Sequence, residues 1–205
     1  MTQYKPCDYK AFITGPYQSG KTHLIHTLDP DAISIERPML RPHRGHLGST
    51  TAGFDLGRVV WLHKDNKDLI LPRSEYAKSN GQYAGWTAKE VELRGVPGSL
   101  QYRLVRDAMR ARSDLVLMVV DSSDPAMAAD ALKILEETRE GSNGTHIEFI
   151  ANKQDREDAA SPREVASWLG VPDVMGLSAT DYEQCKEALV GALRKLEKKK
   201  NSEPK

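Results

Sequence analysis

The sequence predicts an α/β fold: a six-stranded, mostly parallel sheet with helices on both faces, built around a phosphate-binding loop. Three observations predict it. Strand-like and helix-like segments alternate along the chain, the pattern of parallel strands joined by helical crossovers. Gly15-Pro16-Tyr17-Gln18-Ser19-Gly20-Lys21-Thr22 matches G-x-x-x-x-G-K-[ST] between an apolar run and a helical segment, the context that defines the P-loop NTPase class. The 205 residues are 39% hydrophobic and 28% charged, enough to bury a sizeable core.

In chain order, strands are expected at Tyr9 to Thr14, Arg58 to His63, Glu90 to Val96, Asp114 to Asp121, His146 to Ala151 and Asp173 to Leu177. The helix after the phosphate loop begins at His23-Leu24-Ile25. Asp121-Ser122-Ser123-Asp124-Pro125 supplies an N-cap and a proline ahead of a helix over Ala126 to Glu140, with Met127, Ala131, Ile134 and Leu135 as its apolar stripe. Ser161-Pro162-Arg163-Glu164 is a capping box with proline at the first helical position. A last helix runs from Tyr182 to about Lys198, with Cys185, Leu189, Leu193 and Leu196 on its core face.

The phosphate loop has a defined chemistry. Successive backbone N–H groups cradle a phosphate, the helix N-terminus adds its positive dipole, Lys21 reaches the outer phosphate oxygens and the Thr22 hydroxyl ligates Mg²⁺. Gly15, Gln18, Ser19, Gly20, Lys21, Thr22 and His23 form the expected phosphate-side set. At the end of the 146–151 strand stands Asn152-Lys153-Gln154-Asp155. Asp155 can accept both N1–H and N2–H₂ of guanine, which adenine cannot offer, while the Lys153 stem covers the base and Asn152 braces the loop. Ser178-Ala179-Thr180 adds a turn whose amide faces the guanine oxygen. An ATP-specific site leaves the Asn152 to Asp155 motif unexplained.

With these motifs in place the chain resembles the small GTPases of the Ras superfamily, on the Arf-like side and near their prokaryotic MglA-type relatives. Thr51-Ala52-Gly53-Phe54-Asp55-Leu56 is similar to the Arf switch I stretch T-V-G-F-N-V, and Gly95-Val96-Pro97-Gly98 is similar to the x-V-P-G of MglA-type switch II. The resemblance spans roughly residues 9–198 and implies a small G domain over 1–198, binding GTP and GDP with Mg²⁺. It implies that Thr51, with Thr50 adjacent, joins Thr22 at the metal, and that the Gly98 N–H reaches the γ-phosphate. An activator and an effector would dock on the switch regions.

Departures carry as much weight. Where the family places the Mg²⁺-holding Asp of D-x-x-G, this chain has Gly95, with Asp121 and Asp55 as alternative carboxylates. Ser99 stands where the water-orienting glutamine belongs. Gln101, two positions on, and Arg44, in a segment that also holds Arg37, Arg41, His43 and His46, complete the candidate catalytic set. Slow intrinsic hydrolysis is expected, and a GTP-binding docking module that scarcely turns over is the alternative. Arg103, Arg106 and Arg110 share a helix face, as an acidic-partner surface or an ordinary solvated face.

An insertion at about 64–88 holds a further short strand at Leu69-Ile70-Leu71-Pro72, together with Tyr76, Tyr83 and Trp86; it suits a partner or the covering of a sheet edge. Residues 199–205 are expected to be a disordered tail. A formal charge of zero gives no field for nucleic acid. Two distant cysteines, and no signal sequence, apolar span or lipidation motif, lead to the expectation of a cytoplasmic monomer without a membrane anchor of its own.

Overall fold

A computed structural model of the chain describes residues 7–38, 49–98, 103–140 and 145–202, with backbone alone at 36–38 and 49–53. The elements are β1 (Tyr9–Thr14), α1 (Lys21–Leu28), β2 (Ile33–Pro38), β3 (Ser49–Lys64), β4 (Lys67–Pro72), α2 (Arg73–Lys78) and β5 (Thr87–Gly95). They continue with α3 (Arg103–Arg110), β6 (Leu115–Asp121), α4 (Ala128–Glu140), β7 (His146–Asn152), α5 (Pro162–Leu169), β8 (Met175–Gly176) and α6 (Tyr182–Ser202). The strand order is β2-β3-β5-β1-β6-β7-β8, with β4 also paired to β3. From β5 to β8 every pairing is parallel, and β2, β3, β4 and β5 meet antiparallel. This mostly parallel sheet with helices on both faces is the fold of a small G domain.

The central strands are buried on both sides, which is why β6 reads as an unbroken apolar run, Leu115-Val116-Leu117-Met118-Val119-Val120. Alternate side chains of β1 and β6 pack against α1 and α6 on one face, through Ala11, Ile13, Leu24, Ile25, Leu117, Leu189 and Leu193. On the other, Met118 and Val120 meet Ile134 and Leu135 of α4 and Val165 of α5, and Phe12 and Val116 lie beneath Met109 of α3. No helix among the described residues is long and apolar enough to cross a membrane.

Among the described residues the sheet has eight strands where the sequence predicts six, because both additions lie along the outer edge of a long β3. The expected strand at Leu69–Pro72 is part of β4, which turns tightly at Asp65 and Asn66 and pairs with the far half of β3. The insertion therefore covers a sheet edge: Ile70 is fully buried, and the Tyr182 hydroxyl donates to its carbonyl. Beyond α2, Tyr76 stacks on Tyr83, and Trp86 meets Tyr83 edge-on. The other addition, β2, pairs with Ser49 to Leu56, so the backbone around Thr50 and Thr51 is strand rather than loop.

Smaller differences have local causes. The helix expected from Ala126 opens as a 3-10 turn capped by Asp124, whose carboxylate accepts from the Ala126 amide at 3.1 Å. The Ser161 and Glu164 capping box forms as expected. The last helix continues through residues 199–202, part of the stretch expected to be disordered. There Lys200 bonds Asp114 at 2.8 Å and lies over the Tyr9 ring.

Candidate functional site

The phosphate loop joins β1 to α1 at the C-terminal edge of the parallel strands. Gly15 and Gly20 have φ of 137° and 97°, and added side chains would strike the Val119 carbonyl oxygen and Asn152 Nδ2, each at 2.0 Å. Only glycine serves at either place. Lys21 is 7% exposed and turns back into its own loop, donating to the Pro16 carbonyl at 2.6 Å and to Ser19 Oγ at 3.4 Å. Burial lowers its pKa to about 8, with Asp55 nearby opposing the shift and Arg106 adding to it. Gln18 and His23 are exposed, and Ser19 is buried.

Three segments distant in sequence meet at Asn152. Its Nδ2 donates to the Ser19 carbonyl at 2.8 Å, and its Oδ1 accepts from the Ala179 amide at 2.7 Å. One buried amide thus ties the phosphate loop to the turn at 178–180. Thr27 of α1 reinforces the joint by donating to the Ala179 carbonyl at 2.6 Å, and Ser178 and Thr180 share a hydrogen bond of 2.9 Å. Gln154 ties the 152–155 segment to Ser122 Oγ, just past β6, at 2.8 Å and to the Ala160 carbonyl at 2.9 Å. Asp155 is exposed, and its carboxyl is held below the usual range first by a hydrogen bond from Ser178. It is an open acceptor beside the turn. Lys153, at φ 68°, pairs with Asp121, which also accepts from the Ser123 hydroxyl and amide.

The 15–22 loop is met by residues of β3 and of the segment after β5. Asp55 is 1% exposed; its Oδ2 accepts from Thr22 Oγ1 at 2.8 Å and its Oδ1 from Ser34 Oγ at 2.6 Å. It stands directly across from Gly95 in the β3 to β5 ladder. Gly98 is buried against the loop, where an added Cβ would lie 2.4 Å from the Pro16 carbonyl carbon and 2.5 Å from the Tyr17 nitrogen. Of the other predicted residues, Ser99, Gln101, Arg41, His43, Arg44 and His46 lie outside the described residues, as do the side chains of Arg37, Thr50 and Thr51.

The arginine stripe on α3 is corrected. Only Arg103 is exposed; Arg106 and Arg110 are buried against α4, where Arg106 pairs with Glu137 at 2.6 Å and Arg110 donates to the Glu137 carbonyl. They dock α3 and form neither a partner surface nor a solvated face. The outward face of α3 carries Leu104, 83% exposed. Sequence reasoning also missed Ser34, whose hydroxyl meets His26 Nε2 at 2.7 Å and fixes one oxygen of Asp55. Its place in a short alternating run, Ile33-Ser34-Ile35-Glu36, was the one available signal.

No family model matches the chain. Over 149 residues it is 26% identical to ADP-ribosylation factor-like protein 5 of Caenorhabditis elegans, an alignment covering 61% of this chain and 83% of that protein. The fold is that of a small G domain, and the sequence is similar to an Arf-like protein.

Proposed function

We propose that the chain binds GTP and GDP with Mg²⁺ and works as a molecular switch that hydrolyses GTP slowly unless a partner stimulates it. The observation that carries this reading is the Asn152 brace, which makes the phosphate loop and the 178–180 turn one unit, with Asp155 open beside it. In this reading Asp155 accepts from guanine N1–H and N2–H₂, Lys153 covers the base with its stem, and the Ala179 to Thr180 turn faces the base oxygen. Lys21 leaves the Pro16 carbonyl for phosphate oxygens, while the loop amides and the α1 N-terminus hold the β-phosphate. Thr22 offers a hydroxyl and Asp55 a buried carboxylate, an all-oxygen donor set of the kind Mg²⁺ takes. When bound, that ion neutralises charge on the β- and γ-oxygens.

Gly98 would report the γ-phosphate through its N–H. Thr51 would follow by leaving the β2 ladder, so that partners read the 49–54 and 98–103 segments in two arrangements. Gln101, Ser99 and Arg44 are the residues proposed to orient water or supply charge once a partner orders them. The turn at 95–98 favours the MglA-type side of the family. A second reading, a nucleotide-dependent docking module that barely turns over, is favoured by Gly95 and Ser99.

Calorimetry with GTP, GDP and ATP tests the base assignment, and ATP binding as tight as GTP would overturn it. Single-turnover hydrolysis separates the two readings. The switch is expected at roughly 10⁻⁴ per second alone, rising by orders of magnitude with its activator. Loss of that stimulation in Gln101→Leu or Arg44→Ala at unchanged GTP affinity would mark those residues as acting in the transition state.

A further inference from the structure

Building on the nucleotide reading above, we infer that the carboxylate serving the nucleotide's magnesium has moved from β5 to the neighbouring strand: Asp55 of β3 does from across the ladder what a residue at position 95 would do. Directly opposed residues of an antiparallel pair point to the same face with their Cβ atoms close together. Asp55 and Gly95 are such a pair. Side chains at the two positions would therefore project over the same ground beside the phosphate loop.

The space there holds one of them. A Cβ on Gly95 would lie 2.8 Å from Asp55 Oδ2, 3.1 Å from Asp55 Cβ and 2.7 Å from Ile25 Cδ1. Gly95 is thus the complement of Asp55. The carboxylate is also prepared for a cation. It is almost fully buried, each oxygen is met by a hydroxyl, and among the described residues it forms no ion pair. Buried Lys21 is its electrostatic neighbour but donates to Pro16 and Ser19 instead, and a buried carboxylate hydrogen-bonded only to hydroxyls gains from a further adjacent positive ion. Its Oδ2 shares the Thr22 hydroxyl that the phosphate loop offers to a metal, while Ser34, braced by His26, fixes its Oδ1. The other sequence candidate, Asp121, is committed elsewhere: one oxygen pairs with Lys153 and the other accepts from Ser123.

The test is release of fluorescent methylanthraniloyl-GDP from the full chain while free Mg²⁺ is titrated, with an EDTA arm. Asp55→Asn keeps the shape and is expected to raise the Mg²⁺ midpoint for slow release by about ten- to a hundredfold, with GDP affinity in EDTA close to wild type. Gly95→Asp alone is expected to be impaired, and Gly95→Asp combined with Asp55→Gly to recover most of the wild-type midpoint. Asp121→Asn is expected to change GDP affinity in EDTA and leave the Mg²⁺ midpoint in place. A wild-type midpoint in Asp55→Asn overturns the inference, as does a shifted midpoint in Asp121→Asn. If Asp55→Asn does not fold, the double variant decides, since a failure to restore Mg²⁺ dependence in a folded double variant also overturns it. No GDP binding in either arm by the wild type would instead bring down the nucleotide reading on which the inference rests.

Discussion

The two ends of the proposed nucleotide site are built differently. At the base end, Asn152, Thr27, Gln154 and Ser178 bond backbone or neighbouring side chains, and every link is satisfied within the chain. At the phosphate end, Lys21 bonds its own loop and Asp55 rests on two hydroxyls. Those are charged groups near one another whose hydrogen bonds go to neutral partners. The base end is therefore a fixed frame, and the phosphate end holds charge in reserve for a ligand. In the proposed switch, specificity belongs to the first and response to the second.

Four measurements sharpen or break that contrast. The largest effect is expected where the phosphate side is anchored at a distance. Glu137→Ala removes the carboxylate that pairs with the buried Arg106 guanidinium at 2.6 Å, and should lower unfolding free energy by about 3 kcal/mol or more in urea titrations. A change below 1 kcal/mol, on the scale of an exposed pair, would show that α3 is held by something else.

Next, Asp155→Asn should weaken GTP binding by about 3 kcal/mol through loss of a charge-assisted pair, and favour xanthosine over guanosine nucleotides in calorimetry. Unchanged selectivity would remove Asp155 from the base site. Asn152→Ala strands the Ser19 carbonyl and the Ala179 amide, so stability without nucleotide should fall by about 2 kcal/mol. If only nucleotide affinity fell, the base end would not be the preformed frame described here.

The smallest effect concerns protons. Lys21 of the free protein titrates at about 8 because it is buried, and phosphate oxygens would raise that value. Above pH 8, binding must then draw in a proton. Affinity should drop by roughly 1.4 kcal/mol per pH unit until the bound-state pKa is reached. Calorimetry at pH 9 in two buffers of different ionisation heat should show uptake approaching one proton per nucleotide. The same depressed pKa makes the nucleotide-free fold gain stability as pH rises from about 8 toward the ordinary lysine value, since the unfolded chain holds the proton longer. A binding heat independent of buffer would contradict the first sign, and a nucleotide-free stability that falls from about pH 8 to 10 the second.

The 15–22 loop backbone and the Asn152 joint were legible in sequence because their chemistry dictates residue type. Gly15 and Gly20 must lack a Cβ, and Asn152 must both donate and accept, so the motifs name them outright. The carboxylate beside Thr22 was less so. Whether Asp55 or Asp121 faces Thr22 depends on strand register, which no local pattern encodes, and only the pairing of Asp55 with Gly95 decides it. β2 escaped notice because six residues at a sheet edge, ending in proline, carry little alternation to read. The arginines of α3 were assigned outward because polarity normally marks the solvent face. Here Glu137 on α4 reverses the sign.

The length of α6 has a practical consequence for handling the molecule. The helix starts just beyond the Ser178 to Thr180 turn, and its 21 residues carry the chain roughly 30 Å away along its axis. There Lys200 meets Asp114, at the opposite ends of the strands from the phosphate loop. A surface tether or optical-trap handle attached after residue 202 would load the helix and leave the nucleotide loops slack. Under the proposed function, that makes the helix a natural grip for watching single molecules exchange one nucleotide for the other.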